Sequence, residues 1–344
     1  MSALFSFIQK IIVFAFFKEN DILGADMRNS HFNNWIPYAF GEAIGRTIGK
    51  IIQKVIGTLG NTLGHTLFVV SIVGLVQIIL ACLAWQKDRF SFFPNRKYIL
   101  GSLSFGFLAF VTMALGFTVF QLGGSVSVNT FFVTLSIIPG ALIDRFFFGH
   151  RLNTRQWFAI GVGVIAGYAI LDFPSLSEIV ELPLWVLLSL VMTFTLAINQ
   201  GITKIIQNVN PWVQNFWGGM ITLVCALTSF LLIPPRFLFS DSLSLIMLLS
   251  SLAVISGLMV VIVWIFNLYG YRYGAVIAIK KLTVHGSFLI LATLFGVLLF
   301  GETPKLSHAL SVFLYFCAFL LLDEKTWVFF HQRVKKIVCN IRFR

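Results

Sequence analysis

Between Lys281 and Glu302 the chain carries no Asp, Glu, Lys or Arg, and comparable charge-free apolar runs, each about 17 residues or longer, recur along its length. A helix of about 20 residues spans the roughly 30 Å hydrocarbon core of a bilayer, and few other environments accept such a run. Only a helix or a closed barrel satisfies its own backbone in lipid, and runs of this length predict helices. Composition agrees: 58% of residues are hydrophobic, 11% are charged, and mean hydropathy is +0.91. Soluble domains carry about 25% charged residues. The sequence therefore predicts an all-α integral membrane protein with little soluble mass. Its net charge of +12 is the excess expected of basic cytoplasmic loops, not of a nucleic-acid-binding surface. Cys82, Cys225, Cys317 and Cys339 lie far apart, without metal or redox spacing.

The runs predict spans at about 66–86, 98–121, 126–148, 157–173, 183–205, 212–233, 245–270, 275–300 and 306–323. An internal echo predicts one more. IGKIIQKVIG at 48–57 parallels ITKIIQNVNP at 202–211, which closes the span beginning at 183, so an equivalent helix should cover about 34–54. A second echo pairs FFFGHRLNTRQW (146–157) with LLFGETPKLSHA (298–309). The fold expected is about ten transmembrane helices in two inverted five-helix repeats, because an odd count per repeat makes the second enter from the opposite face. The organisation expected is an N-terminal cytoplasmic or interfacial segment (1–33), a first repeat (34–173), a second repeat (183–323) and a basic cytoplasmic tail (324–344). The apolar run Ala3–Phe17 contains Lys10 and no small-residue cleavage site follows it, so it is read as an interfacial helix or short anchor. In this topology the basic residues outside the spans fall on one side, apart from Arg236 and Lys305. That bias places both termini in the cytoplasm.

Residues 34–54 are unusual for a span. Glu42, Arg46, Lys50 and Lys54 recur every four residues as a charged stripe, beside a stripe of Gly41, Gly45 and Gly49. Such a helix either lines an aqueous cavity, packing through its glycines, or lies on the bilayer surface. Gln200, Lys204 and Asn208 repeat the polar spacing on the echoed helix.

The motif AIKKLTVHG (278–286) puts two cations about five residues into the ninth span, with His285 one turn beyond Lys281. Long lysine stems can snorkel to headgroups. Alternatively, a Lys-to-His line entering the membrane suits an anionic solute bearing phosphate or carboxylate. Asn129, Gln200, Asn267 and Tyr269 are further polar groups within spans, and Arg46 is the first cation of the stripe. Asp144 and Arg145 stand near the end of the fourth span, where a structural ion pair is the simpler reading. No nucleotide-binding loop, zinc-protease or serine-hydrolase motif occurs. No catalytic residue, metal ligand or cofactor is therefore assigned, and the chain is not read as an enzyme.

LLFGETP at 298–304 resembles the signature closing each half of the drug/metabolite transporter superfamily, whose members have ten helices in two inverted halves. FFFGHRLNTRQW keeps that shape in the first half, with His150 where the family often has Glu. AIKKLTVHG resembles the basic pair opening the ninth helix of the triose-phosphate and nucleotide-sugar transporter branch, where it contacts substrate phosphate. SIIPGALIDRFFFGHR (136–151) is also similar to the nucleotide-sugar side. A lysine common in that branch's fourth helix is absent, and Asn129 lies in that region. EamA-type exporters of amino acids and other metabolites fit the overall pattern equally.

The resemblance implies a secondary transporter with alternating access, its cavity lined by the fourth and ninth helices. Lys280 and Lys281 would recruit a small anionic metabolite, with His285, Asn129, Gln200, Arg46, Asn267 and Tyr269 as further contacts. A lipid-carrier flippase is the rival class. The expected partners are the solute and the lipid bilayer, with no nucleic acid; a homodimer is compatible with this reading.

Overall fold

The computed structural model describes residues 35–60, 62–149, 153–170, 173, 175, 182–232, 242–275, 277–303 and 305–322. The expectations for 1–33, His150 and the basic tail lie outside these. The described residues form helices α1 (Ile36–Leu59), α2 (Leu63–Asp88), α3 (Arg96–Gln121), α4 (Val126–Thr134), α5 (Ile137–Phe148) and α6 (Thr154–Ile170). After the midpoint come α7 (Leu184–Ile205), α8 (Pro211–Leu232), α9 (Leu243–Arg272), α10 (Ile277–Phe300) and α11 (Leu306–Leu322). Among the described residues, six helical stretches are long and apolar enough to cross a membrane. They are α2, α3, the stretch Val126–Phe148 that comprises α4 and α5, α7, α9 and Thr283–Phe300. Many large apolar side chains on them remain exposed, Leu83, Phe107, Phe194 and Leu298 among them, as a multi-pass membrane protein requires.

Local chemistry sets several helix starts. Thr62, Asn95, Ser125 and Ser242 each accept a hydrogen bond from a backbone N–H of the helix they precede, satisfying a donor that the helix leaves unpaired. Pro37 stands in the first turn of α1, where its missing N–H costs nothing.

The run 126–148 is expected as one helix but is broken between α4 and α5. Pro139 cannot donate to the carbonyl of Leu135, so Ile138 takes that bond instead at 2.9 Å and the turn tightens. The break leaves the Ser136 region open to side chains from α10.

α1 packs lengthwise on α9 and also against α10; α2 lies on α8 and α9. α3 contacts α7 and α8, α10 contacts α4, and α6 pairs with α11. The glycine stripe explains the α1–α9 approach: a Cβ at Gly41 would come within 2.6 Å of the Phe266 ring, and one at Gly45 within 2.8 Å of Val263. Residues 34–54 therefore pack inside the bundle, and Ala39, Glu42, Ala43, Gly45 and Lys50 are buried.

Candidate functional site

The charged stripe of α1 points into the bundle, and each member meets a different partner. Glu42 is buried and bridges two cations. One carboxylate oxygen accepts from Arg46 at 2.9 and 2.6 Å, and the other lies 2.7 Å from Lys280 Nζ. One turn on, buried Lys50 donates to Gln53 Oε1 at 3.1 Å and faces the Phe120 ring at 4.8 Å. No carboxylate among the described residues pairs with Lys50. Lys54 donates to the Gly124 carbonyl at 2.7 Å.

Both lysines of AIKKLTVHG are buried, at 1% and 2% exposure, so neither reaches toward headgroups. Lys280 crosses α9, donating to the Asn267 carbonyl at 2.9 Å and to Asn267 Oδ1, with its ammonium 4.1 Å from the Tyr271 ring. It can do so because position 270 has no side chain: a Cβ there would sit 2.6 Å from Lys280 Cε. Lys281 turns the other way, as adjacent helical residues do, and donates to the Ser136 carbonyl (2.8 Å) and hydroxyl (3.1 Å) at the α4–α5 break. One lysine thus fixes α10 to α9 and α1, and the other fixes it to the broken fourth span.

A cavity of about 170 Å³ lies between α1, α3, α4, α7, α9 and α10. Its polar wall is Arg46, Lys50, Gln53, Asn199, Gln200 and Asn267. The apolar wall includes Phe105, Met113, Met192 and Trp264, with Val133 from α4 and Phe288 from α10. Gly49 faces this space with nothing within 4 Å of where a Cβ would stand.

Of the residues expected at a site, Arg46, Gln200 and Asn267 stand on the cavity wall. Lys280 lies directly behind Asn267 and Glu42. Gln200 accepts a hydrogen bond from Tyr271 at 2.7 Å. Asn129 donates to Ser189 at 2.7 Å, leaving its own carbonyl oxygen unpartnered; it is buried behind the wall. His285 is also buried, beside Phe288, with Nδ1 unpartnered. Tyr269 packs on Tyr38 at 5.5 Å between ring centroids, on the far side of α9. Lys281, Asn129, His285 and Tyr269 are not among the cavity-lining residues. The side chain of Asp144 lies outside the described residues. Gln53, Thr112 and Ser256 were not anticipated; Gln53 alone had a signal, one helical turn from Lys50.

Charge decides what this chamber can hold. Glu42 serves two cations at once, Lys50 has none to itself, and all three basic groups lie within or against the cavity wall. Buried charge without a counter-charge is costly. No three His, Cys, Asp or Glu side chains cluster as metal ligands among the described residues.

A second polar assembly ties the turn after α10 to the start of α4. Gly301, in the left-handed conformation at φ 64°, turns the chain after α10 so that Glu302 folds back onto the start of α4. Its carboxylate accepts from Val126 N (2.5 Å), Ser127 N (3.1 Å), Ser125 Oγ (2.9 Å) and Ser127 Oγ (2.5 Å). Burial pushes this carboxyl up, but the hydrogen bonds from Ser127, Val126 and Ser125 outweigh it and hold it below the ordinary carboxylate range. Helix N-termini favour such anions.

No family model and no curated protein matches this chain. A crystal structure described only as that of a protein superposes on 84% of this chain and 97% of its own length, with a TM-score of 0.59 at 13% identity. That likeness concerns fold alone.

Proposed function

We propose that the chain is a secondary transporter that carries a small anionic metabolite through the cavity by alternating access. The observation that carries this reading is the chamber itself. Three helices from each side of the midpoint enclose it, and Arg46 and Lys50 line it with only one carboxylate shared nearby. Its size, about 170 Å³, is comparable with a cavity that takes benzene, and so suits a solute of few heavy atoms.

The helix pairings support two inverted five-helix repeats. Exchanging α1 with α7, α2 with α8, α3 with α9, α4–α5 with α10 and α6 with α11 converts each major pairing into another or into itself. The α1–α9 contact becomes α7–α3, and the α1–α10 contact becomes α7 against α4–α5. Discontinuous helices beside a midplane site recur in carriers built this way. The Glu302 assembly joins the turn after α10 to α4, and is read as the latch closing the cavity at that end. Both termini are placed in the cytoplasm, and resemblance to the drug/metabolite transporter superfamily belongs to this same reading.

Exporters of neutral amino acids remain the second reading, favoured by the amides Asn199, Gln200 and Asn267 on the wall. A thermal-shift screen of the purified protein separates the two. Phosphorylated three-carbon sugars, small carboxylates and nucleotides form one arm, and neutral amino acids the other. The proposal expects stabilisation by a small anion that Lys50→Gln removes. Stabilisation by amino acids alone, or an anion effect indifferent to Lys50, would overturn it.

A further inference from the structure

A second concavity lies on the outside of the bundle. α2 and α9 touch where a Cβ at Gly257 would come within 2.8 Å of Val76. Beyond that point a cleft of about 280 Å³ runs between them, walled by Leu80 and Leu83 on α2 and Val261 and Ile265 on α9. From Leu80 to Lys87 the slot is about 10 Å long at 1.5 Å per residue. Its sides are aliphatic, and Leu83 remains 54% exposed. The far end changes character: Trp212 and the exposed Lys87 close it.

Around that end the side chains are aromatic and basic. Tyr38, Tyr269 and Tyr273 pack in one cluster with Trp212, Leu80 and Ile265. Arg272 lies 5.1 Å over the Tyr269 ring of that cluster. The acid adjoining Lys87 in sequence is Asp88. An apolar slot that opens at a ring of aromatic and cationic groups matches the division of a phospholipid into tail, interface and phosphate.

We propose that this cleft is a binding site for one anionic phospholipid, its acyl chain in the slot and its phosphodiester against Lys87. The site rests on the membrane-spanning character of the helices and not on the transport reading. Its position gives it a consequence for the cavity. α9 is the partition between them, presenting Val261 and Ile265 to the lipid and Val263, Trp264 and Asn267 to the polar chamber.

The test is native mass spectrometry of the delipidated full-length protein, offered equimolar phosphatidylglycerol and phosphatidylcholine with identical acyl chains. A basic residue near an anionic lipid surface is worth about 1 kcal/mol, so phosphatidylglycerol adducts should exceed phosphatidylcholine adducts about fivefold. Lys87→Gln, at an exposed position, should bring the two lipids close to parity. Leu83→Trp should fill the slot and reduce adducts of both, with circular dichroism melting reporting that the fold survives. Equal retention of both lipids by the unmodified chain, or a preference that Lys87→Gln leaves intact, overturns the proposal. A dimer that Leu83→Trp dissolves would assign the cleft to a second copy and overturn it equally.

Discussion

Replacing Glu302 by Gln tests the latch. Its carboxylate accepts four hydrogen bonds, two from backbone N–H groups at the start of α4 and two from serine hydroxyls. Bonds to a charged acceptor contribute about 1.5–3 kcal/mol each. Three of these bonds reach Oε2 and one Oε1, so Gln with its oxygen at the Oε2 position keeps three as weaker neutral bonds and loses the fourth, about half the total strength. Glu302 is only half-buried, and solvent screening halves the figure again, leaving about 2 kcal/mol. That corresponds to a roughly 30-fold shift from the closed to the open state at this end.

The assay uses a cysteine-free background with Ser256→Cys on the cavity wall, labelled by a membrane-impermeant thiol reagent added from the Glu302 face. Glu302→Gln should raise the labelling rate about 30-fold at neutral pH. The carboxyl is held below its ordinary value in the closed state. Its contribution is therefore complete above the ordinary value of about 4.5 and is lost as pH falls through the lowered one. Both proteins share the loss of reactivity as the thiol protonates, so the readout is their ratio: the parent's rate relative to Glu302→Gln should stay constant from pH 8 to pH 5 and rise towards one below about 4.5. A rate unchanged by the substitution, or a rise in that ratio near pH 7, would refute the latch.

Other substitutions probe the cationic core. Lys280→Met leaves buried Glu42 with one partner instead of two, and breaking a buried pair costs about 3–5 kcal/mol; thermal unfolding in detergent should show a large loss, part of it recovered in the Lys280→Met, Glu42→Gln double variant. Gly270→Ala pushes a methyl against Lys280 Cε, so it should destabilise the parent by about 1–3 kcal/mol and much less in a Lys280→Met background, measured as a double-mutant cycle. The Cβ of Gly49→Leu meets no neighbouring atom and the rest of the side chain enters the chamber, so the change should leave unfolding within about 1 kcal/mol of the parent, yet abolish the anion's thermal shift.

Helix positions were legible because apolar runs bounded by charge and turn residues leave little choice. The expected span 98–121 is α3 at Arg96–Gln121, and 275–300 is α10 at Ile277–Phe300. The break at Ser136 was less so. Pro139 marks a weak point, but nothing local marks Ser136 as the place where Lys281, 145 residues away, adds a bond to a carbonyl that Gly140 N–H already uses. On α1 the four-residue period announced a polar face that could line a cavity or lie on the bilayer surface, whereas the partners that bury it, Lys280 and Gly124, lie too far along the chain for any local pattern to reveal. The apolar half of the cavity was illegible for a different reason. α3 is hydrophobic on all sides, so nothing distinguishes Phe105 and Met113, which face the chamber, from Phe107, which is exposed. Lys280 and Lys281 stood out as a pair, but their division of labour follows from the roughly 100° between neighbours on a helix and from what α9 and α4 present on either side.

The most direct test of the central claim is counterflow in proteoliposomes, with the anion that stabilises the purified protein as the labelled solute. The unmodified chain should concentrate label against a preloaded gradient of the same anion, while Lys50→Gln and Arg46→Gln should each reduce the rate at least tenfold without unfolding the protein. Accumulation at full rate in both variants, or none in the parent, would contradict an anion carrier built around this cavity.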